Sequence, residues 1–312
     1  MMWVLVLAIF ASVLYVASPT ISEAGHESTA IAEDMYNQLK NQDKVEEVIP
    51  PPAHVGEYVV VYLDQMKIEL KDGTTTLETL PIITQGKPGS YYETIGGEYI
   101  HDYKIETHFS SIGHVYMPWS IHVFGNFFIH GIPYYPNGTK VSSTYSGGCI
   151  RLSDNDAKKV YDFVKRGTPI IITRHGEDAF LPSKQTPALE QKMDMTRLMV
   201  AMISLEVLTQ DTSITGLSGE KTSRRKILPE LIVNNNDKVI RLYVQALGEE
   251  TYLDYMNRKA QALGLANTVF TSTHDPAITT NGDYEKFLDY IDTYKTYLNT
   301  VRGISTIATT TP

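Results

Sequence analysis

The feature that most limits the fold of this chain is a change in its hydrophobic pattern near residue 175. Before it, short runs rich in β-branched and aromatic residues are separated by turn residues, a pattern typical of β-strands. After it, apolar residues recur at a spacing of three to four, which is typical of helices. The pattern predicts a mainly-β domain over residues 56–175, a linker over residues 176–191 and a mainly-α domain over residues 192–303.

The two ends of the chain predict three further segments. Residues 1–17 are apolar and uncharged, which suits a signal peptide or a membrane anchor, and the sequence leaves both open. A buried core helix is the less favoured alternative. Residues 18–55 are polar and contain a proline run, which predicts a stalk. Residues 304–312 are rich in threonine and predict a disordered tail.

Composition limits the partners that can be expected. The 312 residues carry a formal net charge of −9, and no stripe of lysine and arginine stands out, so nucleic acid is not an expected partner. Cys149 is the only cysteine. An internal disulfide is therefore excluded, and the thiol is free to be a reactive group.

The β half predicts a meander, a hairpin and a capped helix in that order. Residues 58–63, 66–70 and 80–84 are predicted strands joined by turns. Ser153 is the predicted N-cap of a helix that Gly167 ends, and a buried strand follows. Cys149 then lies in the turn between the hairpin and the capped helix.

The hairpin turn is predicted from the Gly-Asn pair at residues 125–126, which separates two apolar runs. In the register that this turn sets, His122 lies opposite Ile129, and His130 is the next residue of the second strand. Directly opposed residues share a face of the sheet, and successive residues alternate. His122 and His130 are therefore expected on opposite faces, which argues against their binding one metal ion.

A thiol, an imidazole and two glycines beside the thiol indicate nucleophilic catalysis. A thiol needs a base or a positive environment to attack, and His130 is the candidate base. The N–H groups of Gly148 and Cys149 could form an oxyanion hole, because glycine lets the backbone approach a substrate closely. Arg151 could bind a substrate carboxylate or hold the loop. Taken alone, a single cysteine is more often a small buried apolar residue, and a single histidine is usually a structural group.

His130-Gly131, followed by Ser-Gly-Gly-Cys-Ile-Arg-Leu at residues 146–152, resembles the signature of the YkuD-type L,D-transpeptidases. The resemblance covers about residues 57–173 and implies a mainly-β sandwich with a short helix. It implies that Cys149 is the nucleophile and that His130 is the general base and then the acid. The remaining residues that it assigns to the oxyanion loop or to substrate and loop support are Gly148, Gly147, Ser146, Gly131 and Arg151.

One departure from the family pattern concerns Gly147, which stands where the family most often has a second histidine. His130 then needs another group to orient its ring, and the carbonyl of Gly131 is the candidate. The resemblance implies neither a metal ion nor an organic cofactor.

The reaction that the resemblance implies takes place on peptidoglycan stem peptides outside the cytoplasm. Cys149 would attack the carbonyl of the third stem residue and expel the terminal D-Ala, and an amine of a second stem would resolve the thioester into a 3-3 crosslink. Water in place of the amine would give L,D-carboxypeptidase activity. The protein would be secreted or held at the membrane by an uncleaved N-terminal segment.

Residues 192–298 resemble the serine D-Ala-D-Ala carboxypeptidases, which are penicillin-binding enzymes, in a degenerate form. Asp194 and Arg197 stand where that family has the Ser and Lys of Ser-x-x-Lys, and Asn234 stands where it has a second Ser. Because arginine does not give up its proton, this domain is predicted to be non-catalytic and to bind stem peptide or a partner. An unrelated helical bundle is the alternative. Helices are predicted over residues 195–209, 237–247, 249–263 and 284–298.

Two other functions remain open from the sequence. The first is a peptidoglycan-binding scaffold in which both domains are inactive, and the intact pair of Cys149 and His130 counts against it. The second is a cysteine peptidase of another fold, which would cleave L-peptides that a transpeptidase ignores.

Overall fold

The computed structural model of the protein describes residues 54–182, 189–208, 214–215 and 221–308. The predicted signal peptide or anchor at residues 1–17 lies outside the described residues, and so does the predicted stalk up to residue 53. Every helix within the described ranges is too short or too polar to cross a bilayer.

The described residues form strands and helices in the following order. The strands are β1 (Glu57–Tyr62), β2 (Lys67–Asp72), β3 (Thr75–Pro81), β4 (Gly97–Ile100), β5 (Lys104–Ser110), β6 (Val115–Phe124), β7 (Phe127–His130), β8 (Ile150–Arg151), β9 (Pro169–Thr173), β10 (Leu189–Lys192), β11 (Ile214–Thr215), β12 (Lys221–Thr222) and β13 (Ala277–Thr280). The α-helices are α1 (Asp154–Phe163), α2 (Met193–Glu206), α3 (Arg224–Ile232), α4 (Lys238–Val244), α5 (Glu249–Ala262), α6 (Asn281–Tyr294) and α7 (Thr296–Ala308).

The first sheet has five strands in the order β3-β2-β1-β9-β4. Strands β1, β2 and β3 pair in succession and antiparallel, so the predicted meander is confirmed. Strand β9 returns parallel to β1. Val59, Val60 and Val61 are all fully buried, because β1 is a central strand that is covered on both faces.

The third strand of this meander lies earlier in the chain than predicted. It spans Thr75–Pro81 rather than residues 80–84. Proline has no N–H to donate to a sheet ladder, and beyond Pro81 the chain leaves the sheet. Thr84 then forms only an isolated bridge to Arg151.

The second sheet has four strands in the order β5-β6-β7-β8. Strands β6 and β7 form the predicted hairpin, with Gly125 and Asn126 as its two-residue turn. Gly125 has a φ of +56°, a conformation that glycine adopts without the steric cost that other residues have. The predicted turn is therefore confirmed.

The predicted register of this hairpin is wrong beyond the turn. The pairing shifts by one residue between His122 and Phe124, so His122 lies opposite Phe128 and not opposite Ile129. Such a bulge places one extra residue in the longer strand. Phe128 and His130 are two residues apart and share a face. His122 and His130 therefore lie on the same face of the sheet, against the expectation from the sequence.

Helix α1 begins as the sequence predicts. The Ser153 hydroxyl accepts a hydrogen bond from the Asp156 N–H at 3.0 Å, so the predicted N-cap is confirmed. The helix ends at Phe163, which is four residues before the glycine that was expected to end it. That glycine, Gly167, has a φ of +95° in the turn that leads into β9.

The second half of the described chain contains two helices that the sequence did not predict. Helix α3 contains Pro229, which suggests a break because proline lacks a donor for the helix. Helix α7 runs through threonines to Ala308, so residues 304–308 of the expected disordered tail are helical. The predicted linker contains a 3₁₀ helix, Glu177–Phe180, and the first residues of β10.

One hydrophobic core crosses the predicted boundary between the two halves. Its buried side chains include Tyr99 and Phe124 from the sheets and Tyr252 and Phe287 from the helices. All of these belong to one compact unit, Glu47–Pro312. The helical half is therefore packed on the β half, and the predicted domain limits stay a prediction.

Candidate active site

Two strands bring the predicted nucleophile and the predicted base together. Cys149 immediately precedes β8, which pairs in parallel with β7 and sets His130 level with Arg151. Cys149 is then level with Phe128, two residues before His130. Because side chains alternate along a strand, Cys149 and His130 project from the same face of neighbouring strands.

His130 is held as a neutral imidazole. Its Nδ1 lies 2.6 Å from the carbonyl oxygen of Gly131, which can only accept, so Nδ1 carries the proton and Nε2 keeps its lone pair. This is the orienting carbonyl that the sequence suggested. The side chain is 2% exposed, and burial lowers its pKa to about 4, with a smaller contribution from the charge of Arg151. Nε2 is therefore available as a base at neutral pH.

Cys149 is a protonated thiol in the same environment. The residue is half-buried, and its Sγ donates to the carbonyl oxygen of Asn126 at 3.6 Å. Burial raises the pKa of the thiol, and a backbone hydrogen bond with Phe128 and the smaller effect of the Arg151 charge oppose this only in part. The thiol and the imidazole are therefore both neutral at neutral pH, so attack by this thiol would require its proton to move during the attack and not before it.

The loop before the thiol is closed by two hydroxyl groups. Ser146 accepts from the Gly148 N–H at 3.0 Å and donates to the Cys149 carbonyl. Thr94 donates to the Gly148 carbonyl at 2.8 Å and accepts from the Gly86 N–H at 2.8 Å. Thr94 was not predicted from the sequence, because it lies 54 residues from Gly148 and in no motif.

Gly148 occupies a position that only glycine fits. Its φ is +115°, and a Cβ there would lie 2.4 Å from Cε1 of Phe127. Its N–H donates to the Ser146 hydroxyl, so that bond must break before this N–H can stabilise an oxyanion. The oxyanion role of Gly148 stays a prediction. Gly147 has no atom within 4 Å of a Cβ position.

Gly131 is also tightly surrounded. A Cβ at this position would lie 2.7 Å from Oδ1 of Asp154, the first residue of α1. The same carboxylate oxygen accepts from the Ile132 N–H at 2.8 Å, and the Gly131 N–H donates to the Pro118 carbonyl at 2.8 Å. The carbonyl that orients His130 is therefore fixed by both the hairpin and the helix.

Arg151 holds its loop and keeps one donor free. Its Nη1 donates to the Ser143 hydroxyl at 2.8 Å, and its backbone N–H donates to the Thr84 carbonyl at 2.8 Å. Its buried Nε has no hydrogen-bond partner among the described residues. The observed contacts hold the loop, and the binding of a substrate carboxylate stays a prediction.

His122 shares the face of His130 but is engaged elsewhere. Its Nδ1 lies 2.7 Å from Oδ1 of Asp102, and its Nε2 lies 3.1 Å from the Gly125 carbonyl. Its ring stacks on Tyr103 with a centroid distance of 4.4 Å. Within the described ranges, no group of three or more His, Cys, Asp or Glu side chains is arranged to hold a metal ion.

The helical half brings several of its predicted motif residues together. Arg197 Nε lies 2.7 Å from Oδ1 of Asp237, and Arg197 Nη1 lies 3.2 Å from Oδ1 of Asn235. Asp194 accepts from the hydroxyl of Tyr284. The arginine that stands in the place of a lysine is therefore paired with an acid and an amide.

Comparison with known protein families decides what the β half is. Residues 56–172 match the family model of the L,D-transpeptidase catalytic domain, YkuD. This segment is a YkuD domain. The match ends before the helices of the second half, so the carboxypeptidase-like character of residues 192–303 stays a prediction.

Solved structures that resemble the chain cover less than half of it. An L,D-transpeptidase from Stackebrandtia nassauensis is 20% identical over 44% of this chain and 63% of its own, with a TM-score of 0.33. An L,D-transpeptidase from Mycobacterium smegmatis is 22% identical over 38% of this chain and 58% of its own, with a TM-score of 0.32. A fused Zn-dependent amidase/peptidase/peptidoglycan-binding domain-containing protein from Clostridium acetobutylicum ATCC 824 is 21% identical over 45% and 62%, with a TM-score of 0.33.

These matches span about three fifths of the length of the solved structures. TM-scores this low do not establish a common overall fold, so the assignment of the YkuD domain depends on the family match. No curated protein matches the sequence.

Proposed function

We propose that the protein is a peptidoglycan L,D-transpeptidase that acts through a thioester on Cys149. The observation that carries the proposal is the placement of Cys149 and His130 on one face of β7 and β8 inside the YkuD segment. The bond from His130 Nδ1 to the Gly131 carbonyl leaves Nε2 as the base. Together these groups supply the nucleophile and the proton acceptor for acyl transfer.

The first half-reaction transfers an acyl group to the thiol. Nε2 of His130 takes the thiol proton as Sγ of Cys149 bonds to the carbonyl carbon of the third stem residue. The tetrahedral intermediate collapses, and the C–N bond to the terminal D-Ala breaks. His130 then gives its proton to the leaving amine, so the imidazole is neutral again and the thioester is formed.

The second half-reaction releases the acyl group to an acceptor. A side-chain amine of another stem peptide attacks the thioester and gives a proton to His130 as the new amide bond forms. The C–S bond breaks, and the thiolate of Cys149 takes that proton back. Water as the acceptor would release a shortened stem peptide instead, which is the L,D-carboxypeptidase alternative.

The proposed setting of this reaction is outside the cytoplasm, at the cell wall. Peptidoglycan lies there, and the apolar residues 1–17 suit export or a membrane anchor. The helical half is proposed to be a degenerate carboxypeptidase-like domain that binds stem peptide. The pairing of Arg197 with Asp237 and Asn235 supports this proposal, because residues that the sequence assigned to two separate motifs meet in the structure.

The test uses purified protein and disaccharide-tetrapeptide, with products identified by mass spectrometry. Because Cys149 is the only cysteine, Cys149→Ala removes every thiol and is the matched control. We expect a dimer that is one D-Ala lighter than two monomers, and we expect no such product from the variant. A carbapenem should add its mass to the wild-type protein and not to Cys149→Ala.

The alternative outcomes separate the other functions. Tripeptide without dimer would identify a carboxypeptidase that uses the same thioester. Absence of both turnover and a carbapenem adduct would favour the inactive peptidoglycan-binding scaffold.

A further inference from the structure

The hairpin turn beside the thiol rests on the end of helix α2. The Asn126 N–H donates to the carbonyl of Glu206 at 3.1 Å, and the Asn126 side-chain amide donates to the carbonyl of Val207 at 2.7 Å. The last carbonyls of a helix have no partner within the helix, and Asn126 satisfies two of them. At Gly125, a Cβ would lie 2.5 Å from the Glu206 carbonyl oxygen, so the turn could not come this close with another residue there.

The same asparagine contacts the thiol through its third polar group. Its backbone carbonyl oxygen lies 3.6 Å from Sγ of Cys149 and accepts the thiol hydrogen. One residue therefore connects the C-terminal end of α2 directly to the proposed nucleophile. Val207 is 81 residues away from Asn126 in the chain, and the contact joins the helical half to the YkuD domain.

The end of α2 is fixed by a buried cluster of charges. The Glu206 side chain is fully buried, and its carboxylate lies 3.0 Å from Nζ of Lys259 and 2.9 Å from Nζ of Lys295. These lysines come from α5 and from the residue between α6 and α7. A buried carboxylate with two cationic partners from different parts of the chain has little freedom to move without losing them. The two carbonyls that hold Asn126 are therefore firmly placed.

A second contact leads from this cluster to the thiol loop. Nζ of Lys295 lies 5.4 Å from the ring centroid of Phe127, within the range of a cation–π interaction. The ring of Phe127 in turn packs closely against Gly148, the residue before Cys149. The helical half thus contacts Asn126, which accepts from the thiol, and Phe127, which packs against the residue before it.

We propose that Asn126 is a positioning residue for Cys149 and that the helical half, through the end of α2, sets where the thiol lies before attack. The inference rests on the proposed function in one respect, because it takes Cys149 as the nucleophile. It gives the second half of the chain a role that does not require any substrate to bind there.

The contact has a chemical consequence that can be measured. A carbonyl oxygen stabilises the protonated thiol and repels the thiolate. The charge of Arg151 on β8 acts on the thiol. The same arginine and His108 on β5 act on His130 of β7. If Asn126 loses its amide bond to α2, its carbonyl can move away from Sγ. The thiolate then forms at lower pH, and the thiol is no longer held in its place for attack.

The experiment compares Asn126→Ala with Asn137→Ala in the whole protein. Asn137 is a matched control because it is an exposed turn asparagine whose Oδ1 accepts from the Thr139 N–H at 3.0 Å. The rate of alkylation of Cys149 by iodoacetamide is measured across pH, together with kcat and KM for disaccharide-tetrapeptide. Circular dichroism reports whether each variant is folded.

For Asn126→Ala we expect the midpoint of the alkylation profile to lie at lower pH and KM to be nearly unchanged. We expect kcat to fall at least roughly tenfold, because small displacements of a reacting group cost this much or more. Asn137→Ala should match the wild type in all three. A folded Asn126→Ala protein with the wild-type alkylation profile and kcat would overturn the inference.

A second variant guards against failure to fold. Asn126→Asp keeps the shape of the side chain, but its ionised carboxylate faces the Val207 carbonyl and repels it. We expect the same shift of the alkylation midpoint, and a wild-type profile in this variant would also count against the inference. Alkylation needs no substrate, so the two proposals can fail separately. If the wild-type protein shows no turnover but the alkylation midpoint still shifts in the two variants, the proposed function is refuted and the positioning role is left intact.

Discussion

Replacing Glu206 by glutamine tests whether the two halves of the chain share one core. The substitution keeps the size of the side chain and removes a fully buried charge that lies 3.0 Å and 2.9 Å from the ammonium groups of Lys259 and Lys295. At an effective dielectric constant of about 20, each of these contacts corresponds to roughly 5 kcal/mol of Coulomb attraction. The desolvation of the buried charges offsets much of that attraction.

The variant leaves two cationic groups at a buried site without a counter-charge. Removal of one member of a buried ion pair typically costs about 3–5 kcal/mol, and we expect Glu206→Gln to lower the free energy of unfolding by this amount. That is a large share of the total free energy of unfolding of a typical protein, which is roughly 5–15 kcal/mol. The measurement is urea unfolding at pH 7, followed by far-ultraviolet circular dichroism.

The control is a substitution at an exposed ion pair. Glu57 lies 2.6 Å from Nζ of Lys165, and their side chains are 41% and 71% exposed, so Glu57→Gln should cost less than about 1 kcal/mol. A Glu206→Gln protein that loses no more stability than this control would refute the reasoning. Two separate unfolding transitions, with only the helical one shifted, would refute the shared core.

Two further predictions concern the site itself. Gly148→Ala should lower the free energy of unfolding by roughly 2–5 kcal/mol through backbone strain and overpacking against Phe127. Gly147→Ala should be nearly neutral, because Gly147 has open space around it. Equal thermal unfolding curves for the two variants would contradict this. Burial holds the pKa of His130 at about 4, while the unfolded chain takes up its proton near pH 6.5, so stability should fall as the pH drops from 6.5 towards 4, by up to about 3 kcal/mol. Urea unfolding at pH 7 and pH 4.5 should show a smaller loss for His130→Gln than for the wild type, and equal losses would count against it.

The helices of the second half show where sequence patterns were sufficient and where they were not. Helix α5 was predicted to span residues 249–263 and spans Glu249–Ala262, because its apolar face repeats at helical spacing and Gly248 precedes it. Helix α3 was missed because its internal Pro229 has the local signal of a break. Helix packing in the folded protein outweighs that local preference, and a pattern confined to neighbouring residues does not contain information about such packing.

The sequence by itself determined the features that depend on a few neighbouring residues. The turn at residues 125–126 and the Ser153 cap follow from short-range hydrogen bonding and local backbone preference. The thiol and imidazole that we propose as the reacting pair were identified the same way, because the residues around Cys149 and His130 form compact motifs.

The tertiary structure alone decided how these parts meet. The bulge that moves His122 onto the face of His130 depends on how β6 packs against its neighbours, since a period-two pattern does not reveal an inserted residue. The contacts of Thr94 with Gly148 and of Asn126 with Val207 join residues 54 and 81 positions apart. Such contacts arise from the packing of whole elements in a shared core, so no local motif predicts them.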